Sequence, residues 1–176
     1  MYTYIVLLKG INVGGHKKVP MAALRDILSR VGFENVKTYI QSGNVILQTQ
    51  EQNPETIEQI VTETLLKHFG FEVQVLVKTR KQLKYIFEQS PFPAGKIEKS
   101  YFMMLHDTPD DEQVRLASEK VYEGEAYYII DNCIYYFCDK GMGQAKFNIN
   151  FFERKLGTFA TARNYNTMLK LLSLSQ

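Results

Sequence analysis

The chain has 176 residues, of which 45% are hydrophobic, and it includes 11 Tyr and 11 Phe. This apolar content is enough for a sizeable core, and the length fits one large domain or two small, closely packed ones. Lys and Arg together number 21 against 19 Asp and Glu, so the net charge is only +2. This balance argues against a general nucleic-acid-binding surface and leaves room only for a local basic patch.

The N-terminus and the cysteines narrow the class of protein further. The first residues lack the charged start and long apolar stretch of a signal peptide, and no apolar run approaches the ~18 residues of a membrane span. We therefore expect a soluble, cytoplasmic protein without a membrane partner. Cys133 and Cys138 lie in one predicted strand, on opposite faces and about 16 Å apart, which excludes a disulfide between them. With three scattered histidines and no Cys-x-x-Cys pair, we expect neither a metal site nor a cofactor.

The first half of the chain predicts the element order βαββαβ. We expect a strand over 4–9 and a helix over 20–31, followed by the two strands of a hairpin over 36–41 and 45–48. A second helix comes next, and a closing strand is expected over 72–78. The second helix begins at Pro54, with Asn53 as its N-cap. This order is that of the ferredoxin-like fold.

The second half partly repeats the order. We expect a strand over 101–105, a helix capped near Asp110 and a hairpin with strands over 127–130 and 134–138. Two helices are expected after the hairpin, near 148–155 and 163–174. The final strand of a second βαββαβ unit is not readable, and a terminal helix is expected in its place. We therefore predict an α+β fold with two ferredoxin-like α/β sandwiches packed together. The expected boundaries are 1–79 for the first subdomain, 80–99 for a bridging helix and linker, and 100–176 for the second subdomain.

A glycine-rich basic stretch separates the first strand from the first helix. It contains Gly10, Gly14, Gly15, Lys9, His16, Lys17 and Lys18. A backbone free to adopt positive φ can turn its amide groups toward an anion, and we expect Gly14 or Gly15 to hold an angle closed to other residues. The spacing matches neither a Walker loop nor a Rossmann fingerprint. The alternative is a wide turn whose lysines stay in solvent.

Four motifs along the chain resemble a known family. They are Leu-Leu-Lys-Gly-Ile-Asn-Val-Gly-Gly from Leu7, Val-Pro-Met from Val19, Thr-Tyr-Ile-Gln-Ser-Gly-Asn from Thr38 and Ala-Thr-Ala-Arg-Asn-Tyr-Asn-Thr from Ala160. In this order they are similar to the signatures of DUF 1697, a bacterial family of unknown function, over residues 4–174. The resemblance implies a duplicated ferredoxin-like architecture and a soluble bacterial protein. Lys9 stands where the family usually has Arg, and Tyr165 stands where it usually has Trp. Both exchanges keep charge or aromatic area, but a lysine cannot make the bidentate contact of a guanidinium if the family depends on one.

Two further polar groups are candidates for the same site. Gln41, Ser42 and Asn44 lie at the hairpin turn, which a ferredoxin-like sheet places beside the first strand; ordinary turn chemistry is the alternative. Arg163 and Asn164 are expected to begin the last helix, where a cation opposes the helix dipole. Such an Arg is kept either for an anionic partner or for a buried carboxylate.

The hairpin of the second half is rich in aromatic residues, namely Tyr127, Tyr128, Tyr135, Tyr136 and Phe137. Such rings can stack on bases, but the motif of RNA-recognition domains is absent. We therefore expect these tyrosines to cover the core and to direct their hydroxyls to water.

Three function classes remain open. The leading one is a protein that binds a small ligand or a phosphate-type anion through Lys9, Gly10, Asn12, Gly14, Gly15, Lys17, Lys18, Gln41, Ser42, Asn44, Arg163 and Asn164. The second is an enzyme that acts on a phosphorylated or carboxylated metabolite at the same loop. Its catalytic residues are unidentified, because Ser42 has no histidine near it in the sequence. The third is a module that binds nucleic acid or protein. The sequence identifies neither the ligand nor the oligomeric state.

Overall fold

The computed structural model describes residues 1–176 and contains two four-stranded antiparallel sheets, each packed with helices. The predicted duplicated ferredoxin-like α+β fold is confirmed. The chain divides into two compact units, the first formed by Met1–Lys84 with Lys170–Gln176 and the second by Tyr85–Leu169. None of the helices combines the length and the apolar character that crossing a membrane requires.

The first unit follows the predicted βαββαβ order. Its elements are β1 (Tyr2–Leu8), α1 (Met21–Arg30), β2 (Glu34–Tyr39), β3 (Asn44–Thr49), α2 (Pro54–Phe69) and β4 (Val75–Thr79). The strands are arranged as β2-β3-β1-β4, and all neighbours are antiparallel. The closing strand begins at Val75 rather than at Glu72, three residues later than predicted. Helix α3 (Arg80–Glu88) follows and continues from the first unit into the second.

Local sequence signals explain where the helices of this unit begin and end. The Asn53 side chain accepts a hydrogen bond from the Glu55 amide at 2.9 Å, and Pro54 occupies the first turn of α2. Gly70 ends α2 in the left-handed conformation that favours glycine. The side chains of α1 and α2 that reach the core, such as Leu24 and Val61, pack against alternate residues of β1. The core-facing stripe of each helix therefore fixes which face of the sheet it covers.

The second unit repeats the arrangement. Its elements are β5 (Tyr101–Leu105), α4 (Asp111–Ser118), β6 (Glu125–Ile130), β7 (Cys133–Cys138), α5 (Ile149–Leu156) and β8 (Ala160–Asn164). Helix α6 (Tyr165–Leu174) follows, and its residues from Lys170 onward belong to the first unit. The sheet order, β6-β7-β5-β8, is the same as in the first unit. Asp110 forms a complete capping box with Gln113 at the start of α4.

The prediction that the second unit lacks its last strand is wrong. Residues Ala160–Asn164 form β8 and pair with β5 along its whole length. The strand escapes notice in the sequence because its residues are small or polar, and because the buried Arg163 breaks the alternation of apolar and polar residues.

The aromatic hairpin of the second unit is built into the core. Tyr135 and Tyr136 are at most 1% exposed. The Tyr135 hydroxyl donates to the Ile86 carbonyl at 2.7 Å, and the Tyr136 hydroxyl donates to the Glu125 carboxylate at 2.8 Å. The expectation that the hydroxyls reach water is therefore wrong for these two residues, and burial raises the pKa of both.

Candidate functional site

The connection between β1 and α1 is long for the fold. It runs over residues 9–20, here called the basic loop, whereas the equivalent connection between β5 and α4 runs only over residues 106–110. The extra residues are therefore not needed to link a strand to a helix in this architecture. Loops that exceed the need of the scaffold are frequent places for function.

Matching backbone hydrogen bonds establish that the two connections are equivalent. The last residue of each inner strand donates to the hairpin turn, Leu8 to Gly43 and Leu105 to Asn132, each at 2.8 Å. The amide of the next residue donates to a carbonyl just before the closing strand, Lys9 to Gln74 and His106 to Phe159, each at 3.0 Å. Lys9 and His106 therefore occupy equivalent positions in the two units.

The tip of the basic loop is a tight turn. The His16 amide donates to the Val13 carbonyl at 2.9 Å, and the two residues between them, Gly14 and Gly15, have φ angles of 56° and 79°. Positive φ at both central positions is typical of a type I′ turn. The expected closed backbone angle is confirmed at both glycines. A Cβ atom has room at either position, so the requirement for glycine comes from the φ angle alone.

The base of the loop is closed by Asn12. Its Oδ1 accepts from the Val19 amide at 2.8 Å, and its Nδ2 donates to the Val19 carbonyl at 3.0 Å and to the Gln41 carbonyl at 2.8 Å. Its own amide donates to the Lys17 carbonyl at 3.1 Å. The Asn12 side chain thus joins both ends of the loop to the hairpin turn, and its Nδ2 is already engaged within the protein.

The hairpin turn packs directly against the end of β1. Gly43 has a φ of 79°, and a Cβ atom built on it would lie 2.6 Å from the Leu8 Cβ. Asn44 is fully buried, and its Nδ2 donates to the Tyr39 carbonyl at 3.1 Å and to the Ser42 Oγ at 2.9 Å. The turn is therefore closely packed and held by hydrogen bonds beside the basic loop.

The backbone at the tip of that turn is strained. Ile40 has a φ of 50°, which β-branched residues rarely adopt, and 51% of its surface is exposed. Strain of this kind persists only where the surrounding structure fixes the conformation, here through the bonds of Asn12 and Asn44 to neighbouring carbonyls.

Lys17 and Lys18 give the basic loop positive charge that no carboxylate of the chain neutralises. The Lys17 ammonium donates to the Glu72 carbonyl at 2.7 Å, which fixes the side chain but leaves its charge uncompensated. His16, Lys17 and Lys18 are exposed, and none of them forms an ion pair with a carboxylate of the protein. This surface therefore favours an anion from solution.

The structure brings most of the predicted site residues together and gives several of them another role. The basic loop and the hairpin turn contain Lys9, Gly10, Asn12, Gly14, Gly15, Lys17, Lys18, Gln41, Ser42 and Asn44, all in the first unit. The side chains of Asn12 and Asn44 hold the backbone in place. The exposed side chains are those of Lys17, Lys18, Gln41 and Ser42.

Arg163 and Asn164 lie in the second unit and do not begin the last helix. They end β8, and the Asn164 Oδ1 accepts from the Thr167 amide at 2.9 Å, as an N-cap of α6 does. The buried Arg163 guanidinium donates to the Thr161 Oγ1 and to the Ala162 carbonyl, each at 2.8 Å. Burial lowers the pKa of Arg163 to about 10. The prediction that Arg163 begins the last helix and opposes its dipole is therefore wrong.

Two positions that shape the site were missing from the prediction. Gly43 lies in close contact with Leu8, and this contact joins residues 35 apart in sequence, which the turn motif alone does not reveal. The Glu72 carbonyl holds Lys17 through a backbone atom, which no residue type reveals. Only the Ser-Gly-Asn sequence gave any signal, since it indicates a turn that requires positive φ.

Comparison with known proteins identifies the family but no activity. The sequence model described as "Protein of unknown function (DUF1697)" matches residues 1–135. The solved structure of conserved bacterial protein SP0830 from Streptococcus pneumoniae is 25% identical and has a TM-score of 0.75, and the match covers 99% of this chain and 98% of that one. No protein with a curated description matches the sequence. With more than half of its length matched, the chain belongs to the DUF1697 family of proteins of unknown function.

Proposed function

We propose that this protein binds a small phosphate-type anion at the basic loop. The ligand-contacting groups are the side chains of Lys9, Lys17 and Lys18 and the exposed backbone at Gly14 and Gly15, with Gln41 and Ser42 at the rim. One observation carries the proposal: a loop that is longer than its counterpart in the second unit presents the exposed side chains of Lys17 and Lys18, neither of which forms an ion pair with a carboxylate of the chain.

Preorganisation supports this assignment. The Asn12 contacts close the loop at its base, and the Lys17 ammonium is anchored to the Glu72 carbonyl. An anion therefore meets a backbone that is already ordered, so little conformational entropy is lost on binding. Lysine serves as a point charge for phosphate, which suits a shallow site open to water. Because solvent screens such charges, we expect an affinity in the millimolar range.

Thermal unfolding in phosphate tests the proposal. A ligand that binds only the folded state stabilises it by RT ln(1 + [L]/Kd), about 1.4 kcal/mol at ten times Kd. We therefore expect millimolar inorganic phosphate to raise the melting temperature of the wild-type protein. Phosphate and sulfate also stabilise proteins by exclusion from their surface, so the wild-type curve alone does not identify a site.

A pair of variants with equal charge separates the two effects. The Lys17→Ala/Lys18→Ala variant removes two positive charges from the loop, and Lys67→Ala/Lys81→Ala removes two exposed positive charges elsewhere in the first unit. At matched ionic strength, the phosphate-dependent shift should shrink in the loop variant and persist in the control. Equal shifts in all three proteins would show that Lys17 and Lys18 are solvated surface charges.

A further inference from the structure

The outer edge of β6 has unpaired backbone groups. The strand lies at the end of its sheet and pairs only with β7. The two-residue turn between them makes Ile130↔Cys133 a hydrogen-bonded pair, and the pairs then alternate along the ladder. The amide and carbonyl groups of Tyr127 and Ile129 therefore point away from β7. The Glu125 amide, at the start of the same edge, donates to the Tyr122 carbonyl at 3.2 Å.

The other three sheet edges carry features that prevent pairing with another chain. β2 has a register shift between Glu34 and Lys37, with Asn35 at a φ of 49°. β4 and β8 each carry a buried charged side chain, Lys78 and Arg163. Bulges and inward-pointing charges are the devices by which natural sheets avoid edge-to-edge association. β6 has no bulge, proline or lysine, and its one charged residue, Glu125, is at the first position of the strand, so the edge from Ala126 to Ile130 has none of these protective features.

A groove runs along the same edge. It has a volume of about 440 Å³ and lies between β6 and residues 118–122. Val121 and Tyr128, which line it, are 83% and 50% exposed. One strand residue occupies roughly 160 Å³, from a rise of ~3.3 Å, a strand spacing of ~4.8 Å and a sheet spacing of ~10 Å. The groove therefore has room for about three residues, the length from Tyr127 to Ile129.

We propose that the occupant of this edge is β6 of a second copy of this chain, paired antiparallel about a two-fold axis at Tyr127. In this register the outward groups of Tyr127 pair with those of Tyr127 of the partner subunit, and the amide of Ile129 of the partner subunit faces the Glu125 carbonyl. The Glu125 amide keeps its bond to the Tyr122 carbonyl. Two-fold dimers are the commonest closed assemblies, and an isologous contact needs only one self-complementary edge. The pairing would join the two copies of the second sheet into one of eight strands.

The charges of the groove are compatible with self-association. One cation, Lys120, and one carboxylate, Glu125, line it, so two copies bring equal numbers of opposite charges together. The Glu125 carboxylate accepts hydrogen bonds from the Tyr136 hydroxyl and from the Lys146 and Phe147 amides, which disperses its charge. No like-charge pair therefore opposes the contact.

Sedimentation equilibrium of the full chain tests the proposal. Between about 10 µM and 1 mM, the average mass of the wild-type protein should rise from that of a monomer toward that of a dimer. Ile129→Pro removes the outward amide donor without touching a bond to β7, and it should raise the dimer Kd by roughly tenfold or more. Ile129→Val is the matched control and should associate like the wild type. If the proline variant fails to fold, Tyr128→Lys places a charge on the same edge from an exposed position.

Cross-linking tests the register. Ala126 and Tyr128 of the partner subunit would form a non-hydrogen-bonded pair, with Cα atoms about 4.5 Å apart. An oxidised mixture of Ala126→Cys and Tyr128→Cys proteins should therefore form a disulfide-linked dimer, and each protein alone should form much less. A wild-type protein that stays monomeric at 1 mM would overturn self-pairing and leave the edge for an extended segment of another protein. Association that Ile129→Pro and Tyr128→Lys leave unchanged, or cross-linking equal in mixed and single samples, would also overturn it.

Discussion

Replacing Gly43 with Ala is expected to lower the free energy of unfolding by roughly 2–5 kcal/mol. Two costs add at this position. A left-handed backbone costs a non-glycine residue about 1–2 kcal/mol, and forcing a methyl group into a packed space costs about 1–3 kcal/mol more. The new Cβ would lie 2.6 Å from the Leu8 Cβ and 3.1 Å from the Ile11 Cδ1. Urea denaturation of the purified variant measures the sum.

Gly15→Ala is the matched control for this prediction. Gly15 has the same φ, 79°, but no atom lies within 4 Å of its added Cβ. We therefore expect it to lose only the backbone term, about 1–2 kcal/mol. Equal losses at Gly15 and Gly43 would contradict the claim that the hairpin turn packs against the end of β1.

Replacing Asn12 with Gly is expected to destabilise the protein by roughly 2–3 kcal/mol, because three side-chain hydrogen bonds, each worth about 0.5–1.5 kcal/mol, disappear together. Glycine keeps the positive φ of 54° at no steric cost, so this variant isolates the hydrogen bonds. Asn12→Ala should cost about 1–2 kcal/mol more, since it adds the strain of a left-handed backbone.

Amide hydrogen exchange gives the local signature of the Asn12 change. The Val19 amide donates to the Asn12 Oδ1, so it should exchange faster in both variants. If Asn12→Gly is as stable as the wild type and Val19 exchange is unchanged, then Asn12 does not hold the basic loop closed.

The first unit could be predicted almost completely from sequence, because local signals agreed with the tertiary packing. The N-cap at Asn53 and the left-handed Gly70 mark the ends of α2, while apolar periodicity marks which face is buried. The second unit was harder to predict because the residue pattern of β8 is not typical of a strand. A strand of small and polar residues with a buried Arg163 has no apolar alternation, and only its pairing with β5 identifies it.

The residue types of the basic loop could be predicted, but the contacts that fix its conformation could not. Residue types revealed the glycines, the lysines and the adjacent turn. The contacts that fix them join distant segments, often through backbone atoms, as when Lys17 reaches the Glu72 carbonyl. From the sequence alone, Asn12 is equally compatible with contacting a ligand and with closing the loop. Only the geometry shows that its side-chain Nδ2 donates to carbonyls of the protein.

The most direct test of the anion site is an NMR titration of the ¹⁵N-labelled protein with inorganic phosphate at constant ionic strength. We predict saturable chemical-shift changes confined to the backbone amides of Gly14–Lys18 and to Lys9, with one shared Kd in the millimolar range. The same titration with chloride should leave these amides in place. Shifts that are absent, that spread over the whole surface without saturation, or that are equal for chloride would show that the basic loop is only a turn.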